Sequence, residues 1–416
     1  LGAAMNKNAL RRKLTKLRTM GVNAVRTSHN PPARKLLSLC DRMGILVMDE
    51  LYDMWELSKT PYDNARFFPE TYPQDVAAWV RRDRCHPCVI LWSIGNEIYD
   101  VQASDRGQYW TKTLMDEVRK HDTLHAPVTF ASNYMPWAGA QKCADILKLP
   151  GYNYAEKYYA EHHEKHPDWV IYGSETGSLL ASRGVYHFPF GESILAEADL
   201  QCSALMNSNT SWGAQDIRKL LVEDENTPYS LGQFIWSGTD YIGEPTPYHT
   251  RSCYFGQADT ACFPKDSYYL YQAEWTSRPM LHIGVFWDWN EGQLIDVPVM
   301  TNGAEAELLV NGRSLGRKKV DLTNAECALP VWQIPFEPGI LTARSYDAQG
   351  NLLLEEEKRT PGGAARLVLR VEEENILADG RDLAFITVTA EDARGNPVEN
   401  ANNRVSVSVA GPASLM

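Results

Sequence analysis

Two carboxylates stand at the ends of apolar runs, where acid–base chemistry could use them. Glu97 closes the run Val89-Ile90-Leu91-Trp92-Ser93-Ile94-Gly95-Asn96-Glu97, and Glu175 follows Trp169-Val170-Ile171-Tyr172-Gly173-Ser174. If the runs are strands, Gly95 lets the backbone turn out and leaves Asn96 and Glu97 at the rim. Two carboxyls facing one cavity can protonate a leaving oxygen and attack the neighbouring carbon, or activate water there, which is the machinery of glycosidic bond cleavage. Either carboxyl alone would more often be a salt-bridge residue. Other run ends carry hydroxyl-reading and ring-stacking groups: Arg26-Thr27-Ser28-His29-Asn30-Pro31, Gly151-Tyr152-Asn153-Tyr154 and Trp236-Ser237-Gly238-Thr239-Asp240-Tyr241. For Arg26 two uses stay open, contact with a substrate or pairing with a buried carboxylate as scaffold.

The elements that must position these groups alternate in type. Leu10, Leu14, Leu17 and Met20 recur at helical spacing over 6–20, with Gly21 as the stop. Strands are expected at Val22–Thr27, Ile45–Asp49, Val89–Ile94, Val128–Ser132, Asp145–Leu149, Trp169–Gly173 and Leu231–Trp236, with helices near 31–43 and 104–121 among them. Short strands separated by helices imply parallel βαβ units. The expected fold class is therefore α/β, a (β/α)8 TIM barrel over residues 1–283. Only seven strands are visible and the chain opens on a helix, so the first barrel strand is expected to be missing. The chain then reads as a piece of a longer protein, with little or no turnover of its own. In such a barrel the catalytic groups sit at the C-terminal strand ends, where both carboxylates fall.

From 284 the texture changes to short alternating segments, Ala306–Val310, Arg317–Val320, Leu341–Tyr346 and Leu352–Glu357, with turns at Asn311-Gly312 and Gln349-Gly350. This reads as a small antiparallel β-domain over 284–360. Thr360-Pro361-Gly362-Gly363 reads as a linker. Residues 361–416 then form a partial second β-domain, with strands at Leu367–Val371, Ala384–Ala390 and Val405–Val409.

The chain has 416 residues, and 41 Lys and Arg against 53 Asp and Glu give a net charge of −12. That balance argues against a nucleic-acid backbone as partner, because such contacts need clustered cations. The longest apolar runs are far too short for a membrane span. The 12 Trp and 20 Tyr suit sugar rings, which offer an apolar face and a hydroxylated edge. Cys85 and Cys88 have redox-motif spacing without the surrounding context of a redox fold. His162 and His166 lie one helical turn apart, away from the catalytic face, and read as a solvated helix end.

The runs Met20-Gly21-Val22-Asn23-Ala24-Val25-Arg26-Thr27-Ser28-His29-Asn30-Pro31 and Val89 to Glu97 resemble the signatures of glycoside hydrolase family 2. Tyr172-Gly173-Ser174-Glu175-Thr176-Gly177-Ser178, with Ser182-Arg183-Gly184-Val185-Tyr186 behind it, resembles the nucleophile segment of β-galactosidase-like members. The resemblance covers about residues 1–283. It implies that Glu97 is the general acid/base and Glu175 the nucleophile of a retaining mechanism, with carboxylates about 5–5.5 Å apart. The Glu97 pKa should then be raised by burial and by the Glu175 charge. The resemblance further implies that Asn96 bonds the sugar 2-hydroxyl, that Tyr154 orients Glu175, that His29 binds substrate and that Trp236 floors the sugar site; Arg26 joins these as a substrate-binding candidate. It also implies immunoglobulin-like domains downstream, the second of them partial and invasin-like.

A departure from the pattern sits at Asp49-Glu50-Leu51-Tyr52-Asp53-Met54-Trp55-Glu56, where the magnesium-binding members carry a histidine. No essential metal and no cofactor are expected. The Asn-x-Lys carboxylate reader of β-glucuronidases is not found after Glu175 either. The expectation is a retaining glycosidase removing terminal β-D-galactosides from oligosaccharides or other β-glycosides. The alternatives are β-glucuronidase or β-mannosidase specificity, or a non-catalytic carbohydrate-binding or adhesion piece. Accessory β-modules lean towards a periplasmic or extracellular bacterial protein over a cytoplasmic one, and a homo-oligomer stays open.

Overall fold

The computed structural model describes residues 5–196, 201–213 and 216–415. Seven parallel strands form one sheet in chain order: Ala24–Arg26, Leu46–Glu50, Val89–Asn96, Val128–Ser132, Pro150–Asn153, Ile171–Gly177 and Ser230–Trp236. Its two edge strands approach each other without pairing, so the sheet curls into a nearly closed barrel. Helices Lys7–Met20, Arg34–Met43, Phe68–Asp83, Arg106–His121, Ala138–Leu147, Tyr159–Lys165, Ile217–Glu225 and Asp266–Trp275 follow or flank the strands. The first starts on Asn6, whose side chain accepts from the Asn8 and Ala9 N–H groups. Its apolar stripe, Leu14, Leu17 and Met20, is buried, which is what holds an amphipathic helix of this length in place.

Alternation along the strands builds layers inside the barrel. Met48, Leu91, Tyr172 and Phe234 form an apolar layer, and the Tyr172 hydroxyl meets Thr129 Oγ1 at 2.7 Å. Two residues further along these strands come the polar Glu50, Ser93 and Ser174, with the Trp236 ring beside them. The apolar layer closes the floor, and the polar layer opens at the C-terminal strand ends.

Two bulges break the two-residue period where it matters. Ser93 pairs with Thr129 but Asn96, not Gly95, pairs with Ala131. Tyr152 pairs with Gly173, and Asn153 pairs with Glu175, leaving Ser174 as the extra residue. Each bulge shifts the parity and lets Asn96 and Glu175 share the inner face with Ser93 and Ser174. Gly151 accommodates the second bulge, since a Cβ there would sit 2.6 Å from Ser174 Oγ. Gly95 serves a close approach to Ile98 and Trp55, and the turn out of the strand falls instead on Glu97, at φ 48°.

The fifth strand differs from the sequence expectation. Residues 145–147 end the helix Ala138–Leu147, and the strand is Pro150–Asn153. The run Ile146-Leu147 continues the helix face that packs on the barrel core. Pro150-Gly151 resembles a turn in sequence, yet a proline is tolerated at the first strand position, where no ladder N–H is needed.

Downstream, Leu281–Ile283, Leu294–Thr301 and Val331–Pro335 form one antiparallel sheet. Arg313–Lys319, Glu305–Val310, Ile340–Tyr346 and Leu352–Arg359 form a second. Their inner faces bury Ile295, Val297, Val299, Leu308, Val310, Trp332 and Leu341, an all-β sandwich core. Leu205, from the long segment after the sixth barrel strand, is buried in that same core, which ties the sandwich to the barrel. Arg366–Val371 and Ile386–Glu391 make a separate hairpin. The strand expected at Val405–Val409 does not form: Val405, Val407 and Val409 are exposed, and no strand among the described residues pairs with them. Among the described residues no helix is long and apolar enough to cross a membrane.

One buried acid makes the fold sensitive to pH. Asp49 is fully buried and accepts from Trp79 Nε1 at 2.8 Å, while its other oxygen has no partner. Burial, outweighing that bond and aided by nearby Asp83, pushes its carboxyl well above the usual range. A carboxyl whose folded pKa exceeds its unfolded value of about 3.9 stabilises the fold below that value. The contribution is lost as pH rises through the raised folded pKa. The thermal unfolding midpoint should therefore fall between pH 5 and pH 9, and Asp49→Asn, which keeps the Trp79 acceptor, should flatten that slope. A slope unchanged by the substitution would assign it to other groups.

Candidate active site

Arg26, at the end of the first barrel strand, reaches across the mouth of the barrel. Its Nε and Nη2 donate to Glu50 at 2.8–3.0 Å, its Nη1 donates to Glu175 Oε2 at 2.7 Å and to the Ser174 carbonyl at 3.1 Å, and Nη2 also donates to Asn96 Oδ1 at 2.7 Å. A guanidinium has five N–H groups, and all five are engaged. Its side chain is only 4% exposed. Burial alone would lower the Arg26 pKa, but the charges of Glu50 and Glu175 outweigh it and leave it raised. Burial would likewise raise the Glu50 pKa; Arg26, His29 and Ser93 together pull it below the carboxylate range.

Glu175 is held from both sides. Oε1 accepts from the Tyr154 hydroxyl at 2.5 Å, and Oε2 accepts from Arg26 and, at 3.4 Å, from Asn153 Nδ2. Tyr154 sits at φ 52°, and its hydroxyl accepts from Ser178 Oγ at 2.7 Å. Burial and the Glu175 charge push the Tyr154 pKa far up, so the phenol stays a donor.

Asn153 joins the two carboxylates. Its Nδ2 lies 3.0 Å from Glu97 Oε1 and 3.4 Å from Glu175 Oε2, so these oxygens are at most 6.4 Å apart. Glu97 is half-buried, and its carboxyl is raised above the usual range, first by burial and then by the Glu175 charge. Asn96 Oδ1 also accepts from Asn153, at 3.0 Å, while its Nδ2 donates to Asp53 Oδ1 at 3.2 Å. His29 Nδ1 meets Glu50 Oε1 at 2.7 Å. A carboxylate can only accept, so Nδ1 carries the proton and Nε2 faces Asn96 Nδ2 and Glu175 Oε2 at 3.4 and 3.9 Å. The His29 ring stacks on Trp236, centroids 5.4 Å apart and planes within 3°.

Comparison with known proteins gives the family. The family model described as "Glycosyl hydrolases family 2, TIM barrel domain" matches residues 1–182, and "Glycoside hydrolase family 2 C-terminal domain 5" matches 367–416. A Bacteroides ovatus protein named beta-galactosidase BoGH2A is 38% identical over 99% of this chain and 52% of its own length. The chain belongs to glycoside hydrolase family 2. Another relative is a putative beta-glucuronidase of Formosa agariphila, 29% identical over 99% of this chain and 41% of its own. A beta-glycosidase from Bacteroides vulgatus superposes with a TM-score of 0.82 at 27% identity, over 95% of this chain and 52% of that one. A family 2 member from Bacteroides cellulosilyticus gives 0.79 at 28%, over 95% and 51%. The chain thus spans about half the length of these relatives. Residues 292–353 match a domain of unknown function (DUF4982).

The six site residues implied by the family 2 resemblance, Glu97, Glu175, Asn96, Tyr154, His29 and Trp236, are brought together with Arg26 at the C-terminal strand ends by hydrogen bonds and by the His29–Trp236 stack. Arg26 takes the scaffold option of its two readings, since no N–H group is left over for a ligand. Sequence reasoning missed Asn153, Glu50, Asp53 and Lys59 as site members. Asn153 had a signal, its position beside Tyr154 at a strand end. Glu50 and Asp53 lay in the segment read only for a missing histidine, and Lys59 had no signal at all. His162 is not solvated: it is buried, with Nδ1 2.9 Å from the Tyr152 hydroxyl. Among the described residues no group of three or more ligating side chains could hold a metal ion.

Removing Arg26 would leave two carboxylates facing each other in a buried site. Breaking such a pair costs about 3–5 kcal/mol. Arg26→Met should lower the denaturation midpoint accordingly, and a further Glu50→Gln change should recover part of the loss. Equal stability of Arg26→Met and the parent would show that the ion pairs contribute nothing net.

Proposed function

We propose that this protein is a retaining β-glycosidase that removes terminal β-D-galactosyl groups by double displacement. The observation that carries the reading is Asn153 Nδ2 within bonding distance of both Glu97 and Glu175. With that oxygen pair at most 6.4 Å apart, the two carboxylates face one another across a span that a single anomeric carbon can occupy, and retention is the mechanism the family resemblance implies.

In the first step Glu175 attacks the anomeric carbon while Glu97 gives its proton to the departing oxygen. The glycosidic C–O bond breaks, and an ester to Glu175 forms. The raised Glu97 pKa keeps that proton available. Once Glu175 is an ester its charge is gone, so the Glu97 pKa drops and the carboxylate can deprotonate the water that hydrolyses the ester. Tyr154 and Arg26 keep Glu175 aimed throughout. Trp236, stacked on His29, offers an apolar face to the sugar ring, and Asn96 is placed to bond the 2-hydroxyl.

A neutral sugar is favoured over a uronate by the cations present. Arg26 is fully engaged, and Lys59 is paired with Asp53 at 2.7 Å, so neither is free for a substrate carboxylate. The relative named a beta-galactosidase points the same way.

A panel of aryl β-glycosides, assayed on the full-length protein, tests the reading. The galactoside should be cleaved fastest, with the β-anomer of galactose appearing first by NMR. Glu175→Gln should lower kcat by at least about 1,000-fold. Cleavage of the glucuronide alone would overturn the sugar assignment, and initial release of the α-anomer would overturn retention.

The pH profile tests Glu97 separately. The alkaline limb of kcat/KM should lie above the ordinary carboxyl range and disappear in Glu97→Gln. That variant should lose about 100- to 10,000-fold on substrates with poor leaving groups and far less on activated aryl glycosides. Equal losses on both would remove Glu97 from the proton-donor role.

A further inference from the structure

Just past Trp236 in the chain lies a buried ion pair that the double displacement does not use. Asp240 and Lys265 are 4% and 1% exposed. Lys265 Nζ donates to Asp240 Oδ1 at 2.7 Å and to the Tyr254 carbonyl at 3.1 Å. The Gly256 N–H donates to the same Oδ1 at 2.8 Å. Glycine is required at that position, since a Cβ would fall 2.0 Å from the Asp240 nitrogen. Lys265 immediately precedes the helix Asp266–Trp275.

The pair joins two segments that run side by side. The Ser237 N–H donates to the Phe255 carbonyl, and the Gln257 N–H donates to the Ser237 carbonyl, both at 3.1 Å. The Ala258 N–H donates to the Gly238 carbonyl at 3.3 Å, and the Asp240 N–H to the Ala258 carbonyl at 2.9 Å. The Lys265 N–H donates to the Gln257 carbonyl at 2.9 Å. The start of the helix is thus tied to the second segment while its ammonium holds the first. The Trp236 ring, at the head of the first segment, stacks on His29 and meets the Tyr241 ring edge-on at 5.7 Å. Tyr241 directly follows Asp240, so the backbone on which both rings hang is the backbone that the ion pair fixes.

Stability does not account for the pair. Burial raises the Asp240 carboxyl to about 6 even with the Lys265 ammonium and the Gly256 N–H against it, and burial lowers the Lys265 ammonium. Both charges are therefore held at a cost that apolar residues of the same volume would avoid. What the pair supplies, and an apolar contact would not, is a fixed distance and direction between two segments. We propose that Asp240 and Lys265 are positioning residues that hold Trp236 in place for the substrate ring by clamping 236–241 onto 253–258. The inference rests on the glycosidase reading above, and both residues act through Trp236.

The test measures kcat and KM of the full-length protein on an aryl β-galactoside. Lys265→Met should raise KM by about 3- to 10-fold, the worth of one ring contact. Its kcat should stay within about 2-fold of wild type, the pattern of lost uniform binding. The substitution also strands the Asp240 carboxyl, so the thermal midpoint should fall. Adding Asp240→Asn removes that buried charge; the midpoint should then recover while KM stays raised. The doubly substituted protein decides the matter by itself if Lys265→Met alone does not fold. In a Trp236→Ala background the same two substitutions should move KM by less than about 2-fold, because the group they act through is gone. A KM that recovers together with the thermal midpoint, or that shifts equally with and without Trp236, overturns the positioning assignment and leaves the glycosidase reading intact. A wild type that hydrolyses none of a wider panel of aryl β-glycosides overturns that reading instead.

Discussion

The site depends on one buried cation between two carboxylates. Arg26 is paired with Glu50 and Glu175 in a region closed to solvent, where an uncompensated charge would be costly. Glu50 secures one end of the guanidinium through a forked contact, and the other end is thereby presented to Glu175. Because the guanidinium is planar and rigid, the position of Glu175 follows from that of Glu50, a residue on a strand four places away in the sheet. Asn96 and His29 attach to the same pair, so the whole rim is one connected set of hydrogen bonds.

This arrangement gives two carboxyls of the same chemical type two different environments. Glu175 has a cation and a phenol as neighbours, both donating to it. Glu97 has one amide donor, partial burial and the charge of Glu175 opposite. The first is held by donors on both oxygens, and the second has its carboxyl pKa raised. Asn153 touches both and sets their spacing. The apolar layer of Met48, Leu91 and Tyr172 beneath shuts water out from below, which strengthens every charge interaction above it.

Much of this was legible in the residues. Seven apolar runs divided by helix-spaced segments indicated a parallel barrel, and the rim position of Glu97 and Glu175 followed from that alone. Boundaries were less legible where local signals conflicted. The fifth strand reads as Asp145–Leu149 because the apolar pair Ile146-Leu147 fits a strand and the end of an amphipathic helix alike, and the helix end is what it is. Val405, Val407 and Val409 alternate like a strand, but alternation describes one edge of a ladder and says nothing about whether a partner exists to pair with it. Lys59 carried no local signal because its role comes from Asp53 and Asn96, which reach it only through the fold.

Type and order of elements, and which residues stand at strand ends, were therefore determined by the sequence, since hydrophobic period and strand length are local properties. Which side chains meet was decided by tertiary structure. The two bulges reverse the parity of Asn96 and Glu175, and no reading of period two along a single strand contains that information. Whether Arg26 served a ligand or a carboxylate was likewise settled only when Glu50, 24 residues on, and Glu175, 149 residues on, arrived at its two ends, because the energy of a buried charge depends on what surrounds it in space.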